Sequence, residues 1–472
     1  MDRVIELDTH GSSEESTGWL LLWARGIRVE ERGSRLISER FLENPEVCFL
    51  YADHDVIDEK GTVHLTMRQP DWSAEHLRSK NYFGPAFAVR VDHADKVLGV
   101  AFGVGDASLE PVLEENIVKR GWHDLILRLT EGLDAKQIHH LDEVIFHFPK
   151  EWKNGVSTKI ATSVKAIQEH LNRMGVAATA EEQPGGLCRV RYQLLEDPPM
   201  VSIIIPTRDQ PDLLRRCLES ILARSTYPNF EILVVDNGSV QPETLHFLES
   251  LQEQKKIRLL RHESPYNFSA INNHAAKEAR GGILCLLNDD TEVISPDWIE
   301  TMVGHLIQPG IGVVGAKLLF PDGRVQHAGD AVGPRGAADH LHSGVGATDP
   351  GYGDRAIVAQ DLSAVTGACL MTWKNLYQQL GGLDATNLPV AYNDIDYCLR
   401  VRERGSRVVW TPHALLLHHE LATRGINRRF PDFLSLWKAK RFVRRKWQIG
   451  KRPDPFYGKH FNQKKADFAL RK

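Results

Sequence analysis

Two adjacent aspartates, Asp289 and Asp290, close the apolar run Ile283-Leu284-Cys285-Leu286-Leu287. Side-by-side carboxylates at the tip of a buried strand repel each other and resist burial without a partner. They call for a cation. A hard divalent ion, which takes one or two carboxylates together with diphosphate oxygens, meets that need. Other polar residues stand at comparable places. Thr207 follows Val201-Ser202-Ile203-Ile204-Ile205-Pro206, Asp236 follows Phe230-Glu231-Ile232-Leu233-Val234-Val235, and His418 follows Ala414-Leu415-Leu416-Leu417. Asp394 and Asp396 lie two apart in Asn393-Asp394-Ile395-Asp396. If that segment opens a helix, only one of them faces a substrate, and the other caps the helix or pairs with Arg400. Arg424 is a candidate for phosphate oxygens.

The elements that must position these groups alternate. After the Pro198-Pro199 linker and the first buried strand, Leu213, Leu214, Cys217, Leu218, Ile221 and Leu222 mark one helical face. A second strand ends in Asp236, and the pattern continues as helix 242–254, strand 257–261, helix 269–279 and strand 283–287. Such alternation with buried strands predicts an α/β domain with a mostly parallel sheet. Ligands then bind beyond the carboxyl ends of the strands, where Thr207, Asp236, Asp289 and Asp290 fall. Upstream, Ile160, Val164, Ile167, Leu171 and Met174 predict a helix, and Pro184-Gly185-Gly186 centres a hairpin over 177–195.

At 472 residues the chain holds more than one domain, and 42% hydrophobic content suits proper cores. No apolar run approaches the roughly 20 residues that span a bilayer. The first 17 residues are polar and acidic, unlike a signal peptide. The six cysteines show no metal-ligand spacing, which predicts a cytoplasmic protein without structural zinc or disulfides. Charge is uneven. From Ile426 to Lys472 there are 15 Lys and Arg against three Asp, a net +12, leaving −16 for the rest of a chain whose net charge is −4. That tail also carries Phe430, Phe433, Trp437, Phe442 and Trp447. Either a helix there packs its aromatics on the domain, or it lies peripherally on the inner face of the cell membrane. No nucleic-acid motif accompanies the charge.

A faint repeat joins the two halves. The segment Trp19 to Val29 lies over Ile283 to Val293, and Trp122 to Arg128 lies over Asp394 to Arg400. An apolar strand and a histidine follow in each, His147 and His418. This predicts a duplicated domain whose first copy lacks a counterpart of 201–280.

Taken together, Val201 to Asp209, Val234 to Ser239, Asn267 to Asn273, Leu287 to Val293 and Asn393 to Asp396 resemble glycosyltransferase family 2. The likeness is to its rhamnosyltransferase and O-antigen or cell-wall polysaccharide branch. The resemblance implies a GT-A fold of nucleotide-diphospho-sugar transferase type, Rossmann-like, over 200–425. It is preceded by a partial, degenerate GT-A-like domain over 1–150 and a helix-and-hairpin connector over 151–199, and followed by the basic tail over 426–472. It implies inverting transfer from a nucleoside diphosphate sugar, of dTDP-rhamnose or UDP-hexose type, to a glycan or lipid-linked glycan, with Mg2+ or Mn2+. By the same resemblance Asp290 and His418 bind the metal and Asp394 is the catalytic base. Pro206, Thr207, Asp236, Asn267, Asn272 and Asp289 then serve the donor. The competing reading is a non-catalytic sugar-nucleotide or polysaccharide binding scaffold; a nucleotidyltransferase is weaker, lacking a Gly-rich loop near the first strand.

In the first copy Trp23-Ala24-Arg25-Gly26 replaces the carboxylate pair and Trp122 replaces Asp394. Asp53 and Asp55 read as residual, so their joint replacement by Ala is expected to leave transfer nearly intact. The absent half should expose a sheet edge unless another surface covers it, which predicts docking on the second domain or a partner.

Overall fold

The computed structural model describes residues 5–10, 18–99, 109–150, 162–419 and 433–471. The chain divides into two compact units, Met1–Arg191 and Tyr192–Lys472. Ile160, Arg424 and Phe430 lie outside the described residues.

In the first unit β1 (Ile5–His10), β2 (Trp19–Ala24) and β3 (Arg28–Val29) precede α1 (Gly33–Glu43), β4 (Phe49–Ile57) and β5 (Val63–Met67). A short α2 (Ala74–Ser79) leads to β6 (Ala86–Arg90), then to α3 (Val91–Leu98), α4 (Leu109–Arg120), α5 (Trp122–Thr130) and the long β7 (Ile138–Pro149). Next come α6 (Val164–Arg173) and a hairpin of β8 (Ala178–Gln183) and β9 (Leu187–Tyr192). Gly185 and Gly186 turn that hairpin at φ of 81° and 72°, which glycine adopts without strain. Helix α6 buries Ile167 and Leu171, but Met174, expected on the same face, is 42% exposed just past the helix end.

In the second unit β10 (Val201–Thr207), α7 (Pro211–Arg224), β11 (Phe230–Asp236), α8 (Pro242–Glu253), β12 (Arg258–Arg261), α9 (Phe268–Glu278) and β13 (Ile283–Leu287) alternate. They are followed by β14 (Thr291–Val293), α10 (Trp298–Leu306), β15 (Ile311–Leu319) and β16 (Val325–His327). A small hairpin of β17 (Asp330–Val332) and β18 (Ala338–His340) comes next, then β19 (Gln360–Asp361), β20 (Cys369–Trp373) and α11 (Lys374–Gln379). The unit closes with α12 (Asn393–Glu403), β21 (Arg407–His418) and α13 (Phe433–Lys446).

Every residue of β10 and β13 is buried, as a strand covered on both faces must be. Successive side chains point to opposite faces. Ile203 and Ile205 therefore pack with Leu214, Leu218 and Trp298, while Ile204 packs with Ile271 and Trp410. The sheet order is β12-β11-β10-β13-β20-β15-β21-β14. The first four strands are parallel; β20 is antiparallel to both its neighbours, and β15 and β21 are again parallel. The sheet is thus parallel in its first half and mixed beyond.

The first unit repeats that second half strand for strand. Its order β2-β6-β4-β7-β3 matches β13-β20-β15-β21-β14, with the same direction at every pairing. Registers match as well: Trp23↔Ala86 answers to Leu287↔Cys369, and Phe49↔Ile138 to Val313↔Val408. Arg28 pairs with His147 where Glu292 pairs with Leu417. His147 therefore takes the place of Leu417, and Phe148 that of His418. The histidine correspondence read from spacing is one residue out, which in a strand reverses the face. Where β10 would extend the sheet beside β13, β1 pairs antiparallel with β2 from Ile5↔Ala24 to His10↔Trp19. The edge expected to be bare is covered by a strand of its own unit.

Asp53 is tied into the fold. It is fully buried, with Arg68 Nη1 at 2.8 Å, His140 Nε2 at 2.9 Å and the Gln69 backbone N–H donating at 2.7 Å. Burial alone would lower the pKa of His140, yet its hydrogen bonds to Asp53 and Asp71 hold it up at about 9. Asp53→Ala removes the carboxylate that Arg68, His140 and the Gln69 N–H share and should destabilise the first unit by about 1–3 kcal/mol. Because the folded pKa of His140 is raised, its contribution is complete below about 6.5 and is lost as pH rises through about 9. That shift corresponds to about 3 kcal/mol. Hydrogen exchange of β7 should accelerate from pH 6.5 to 9, after correction for intrinsic exchange, in the parent and much less in Asp53→Asn. Asp55→Ala, rather than the double variant, is the substitution that tests residual chemistry.

Candidate active site

Strands β10 and β13 run side by side and end at one edge of the sheet. The Thr207 hydroxyl donates to Asp289 Oδ2 at 2.7 Å. The turn after β13 is tied down by the Asn288 N–H, which donates to the Ala368 carbonyl, and by the Thr291 hydroxyl, which donates to the Asn288 carbonyl. Asp290 follows, 6% exposed, with Oδ1 3.0 Å from His418 Nε2. His418 ends β21 and is brought there by the pairing of Thr291 with His418. Its Nδ1 lies 2.7 Å from Gln326 Oε1, so that an Nδ1–H would donate to that oxygen. Nε2 faces a carboxylate oxygen, with the Asn288 amide 3.3 Å away. Carboxylate oxygen and imidazole nitrogen set this way suit a divalent cation, with Gln326 fixing the ring from behind.

Asp394 sits in the first turn of α12, after Tyr392 in a left-handed conformation (φ 61°). Its Oδ2 accepts from the Gly367 N–H and its Oδ1 from the Ile395 N–H, both at 2.8 Å. Burial and then the charge of Asp330 raise its pKa above the usual carboxylate range, against those two hydrogen bonds and the charge of His340. A carboxylate so placed is a better proton acceptor near neutral pH. Asp396 is engaged elsewhere, accepting from Arg400, Lys446 and the Trp447 indole.

Pro206, Thr207, Asp289, Asp290, Asp394 and His418 line one cleft of about 260 Å3. The other donor-side candidates stand back from it. Asp236 is fully buried at the end of β11, where Oδ1 accepts from the Ser239 backbone and hydroxyl and Oδ2 pairs with Arg261. Its neighbour Asn237 lines the cleft instead. Asn267 caps α9, accepting from the Ala270 N–H and donating to the Ala385 carbonyl. Asn272 is buried within α9 and donates to the Phe268 carbonyl. The flanking aromatics Tyr266 and Phe268 face the cleft.

Sequence reasoning missed His340, Asp330 and Gln326. Gly329 makes the turn before β17 at φ +91°, and a Cβ there would meet Leu362 at 1.9 Å, so only glycine delivers Asp330 to its place. Asp330 Oδ1 lies 2.6 Å from His340 Nδ1. Burial opposes the charged ring, but Asp330 prevails and holds the His340 pKa at about 9. His340 lines the cleft beside Asp394 as an imidazolium. Ligand atoms of His327, Asp330 and His340 lie within 4.8 Å of one another. His327 Nε2, however, already accepts from the Thr366 N–H at 3.1 Å, so hydrogen bonds close this cluster. The available signal was the density of His and Asp in 327–340.

A family model described as Glycosyl transferase family 2 matches residues 202–339, which carry Thr207, Asp289 and Asp290. The chain is 37% identical over 445 residues to an uncharacterized Sinorhizobium fredii protein, y4gI, covering 90% of this chain and 46% of that one. It is 36% identical over 442 residues to the O-antigen biosynthesis protein RfbC of Myxococcus xanthus, covering 92% of this chain and 33% of that one. The chain thus spans about half of the first relative and a third of the second. A solved mannosyltransferase from Pyrobaculum calidifontis, in complex with GDP-Man and Mn2+, is 18% identical with a TM-score of 0.38, covering 55% of this chain and 67% of that one. The family match falls on the strands and turns that build one side of the cleft, and residues 202–339 of the second unit are similar to glycosyl transferase family 2.

Proposed function

We propose that the second unit transfers a sugar from a nucleoside diphosphate sugar, of dTDP-rhamnose or UDP-hexose type, to a hydroxyl of a growing surface glycan, with inversion. The supporting observation is the convergence of the Asp290–His418 pair and Asp394 on a single cleft. A nucleotide-binding scaffold has use for the first but none for a carboxylate poised as a base. A relative named for O-antigen biosynthesis supports a polysaccharide product.

Asp394 takes the proton of the acceptor hydroxyl as its oxygen attacks the anomeric carbon, and the diphosphate departs from the opposite face. The N–H groups of Gly367 and Ile395 keep both carboxylate oxygens oriented during that transfer. Asp290 and His418 would hold Mg2+ or Mn2+, which when bound neutralises charge on the diphosphate leaving group. Thr207 orients Asp289 by donating to one of its oxygens. Among the described residues of the first unit no such set recurs: Trp122, fully buried, stands at the base position and Phe148 at that of the histidine ligand.

Turnover with a panel of nucleotide sugars in Mg2+ or Mn2+, alongside thermal shifts, tests this reading. A true donor well above its Kd raises stability by a few kcal/mol. Donor binding without any transfer across acceptors, or hydrolysis to water, would favour the scaffold. His340 adds a pH signature. It stays charged until about pH 9 and lowers the pKa of Asp394. His340→Gln should therefore move the acidic limb of the kcat/KM profile upward, and Asp330→Asn should move the alkaline limb down from about 9. Superimposable profiles would remove the pair from the site's electrostatics.

A further inference from the structure

The helix α13 carries six Lys and Arg and no acidic residue. One side is anchored: Ala439 and Val443 are buried, and Lys446 Nζ reaches Asp396 at 2.6 Å while the Trp447 indole reaches it at 2.8 Å. Asp396 lies on α12, two residues after Asp394. At 100° per residue, the face opposite Ala439 and Val443 is formed by Phe433, Leu434 and Trp437 in the first turn and by Arg441, Arg444 and Arg445 beyond. Phe433 is 80% exposed, Leu434 64% and Trp437 48%. The Arg441 guanidinium lies 5.3 Å from the Trp437 ring.

Three large apolar side chains facing water, continued by a row of arginines, match an interfacial helix. Its rings sink to the acyl boundary and its cations meet headgroup phosphates. A solvated face would carry mixed charge and no exposed Trp or Phe. We propose that this face of α13 docks on an anionic phospholipid surface. The fixed link through Asp396 would then hold α12, and with it the cleft, at a set position relative to lipid-linked substrates. The docking itself does not depend on the transferase reading; only its usefulness does.

The full chain should float with phosphatidylcholine vesicles containing phosphatidylglycerol and not with pure phosphatidylcholine, and added salt should weaken the binding. Phe433→Ser with Leu434→Ser and Trp437→Ser, or separately Arg441→Glu with Arg444→Glu and Arg445→Glu, should each weaken flotation at least about tenfold. Both sets are exposed, so circular dichroism should match the parent. If either set unfolds the helix, the parent's discrimination between the two vesicle types still decides. A parent that ignores phosphatidylglycerol, variants that float like the parent, or preferential capture by duplex DNA would each overturn the proposal. Flotation needs neither donor nor turnover, so its failure is separable from failure of the proposed reaction.

Discussion

Transfer by the Asp394→Asn variant falls about 10³-fold, while donor affinity stays within about twofold. Asparagine keeps the volume of the side chain, and its single carbonyl oxygen can still accept from one of the N–H groups of Gly367 and Ile395. What it cannot do is take a proton from the acceptor hydroxyl. The expected loss is about 4 kcal/mol of transition-state stabilisation. Isothermal titration with the donor and single-turnover kinetics separate the two effects. The pKa of Asp394 is raised, so the parent's base is progressively protonated as pH falls, and its activity should decline on the acid side. Residual activity of the Asn variant should lack that limb. Turnover equal to the parent's would remove Asp394 from the chemistry. Loss of donor binding together with turnover would mean that the cleft itself had collapsed.

Those parts of the site at the ends of buried strands were legible in the sequence. An apolar run of five or six residues that stops at Thr207, or at Asp289 and Asp290, marks a strand, its length and its exit, and β13 spans Ile283–Leu287 as read. Asp394 was named by the family resemblance, since its spacing from Asp396 implied only that one of the two could face a substrate. Asp236 shows the limit of that logic. It ends its strand as read, but Ser239 and Arg261 claim its carboxylate, and no pattern in a line of residues states which neighbour a buried acid will choose. Asn267 has a local alternative, a helix cap, which it takes. The Asp330–His340 pair depends on a hairpin whose strands are three residues each, too short to leave a periodic trace. The duplication was legible in outline, whereas its register was not. The parallel pairings β4/β7 and β15/β21 both contain irregularities, so counting along the chain misplaced His147 by one residue.

On the opposite side of the chemistry, Asp290→Ala should abolish measurable Mn2+ binding at concentrations that saturate the parent, and transfer with it. Electron paramagnetic resonance of Mn2+ reads the first directly, without donor or turnover. The reason lies in how few groups can share the ion. Among the described residues lining the cleft, the carboxylates are Asp289, Asp290 and Asp394, and the imidazoles are His340 and His418. Asp289 holds the Thr207 hydroxyl, Asp394 holds two backbone N–H groups, and His340 is committed to Asp330. Asp290 Oδ1 and His418 Nε2, 3.0 Å apart, are the carboxylate and imidazole atoms set face to face. Gln326→Ala leaves both in place but frees the imidazole to rotate, and should weaken Mn2+ binding about tenfold to 100-fold. Asp394→Asn should leave it unchanged. This graded series distinguishes a metal pair from a structural one. If Asp290 and His418 merely share a proton, Asp290→Ala lowers the melting temperature and leaves the Mn2+ isotherm where it was.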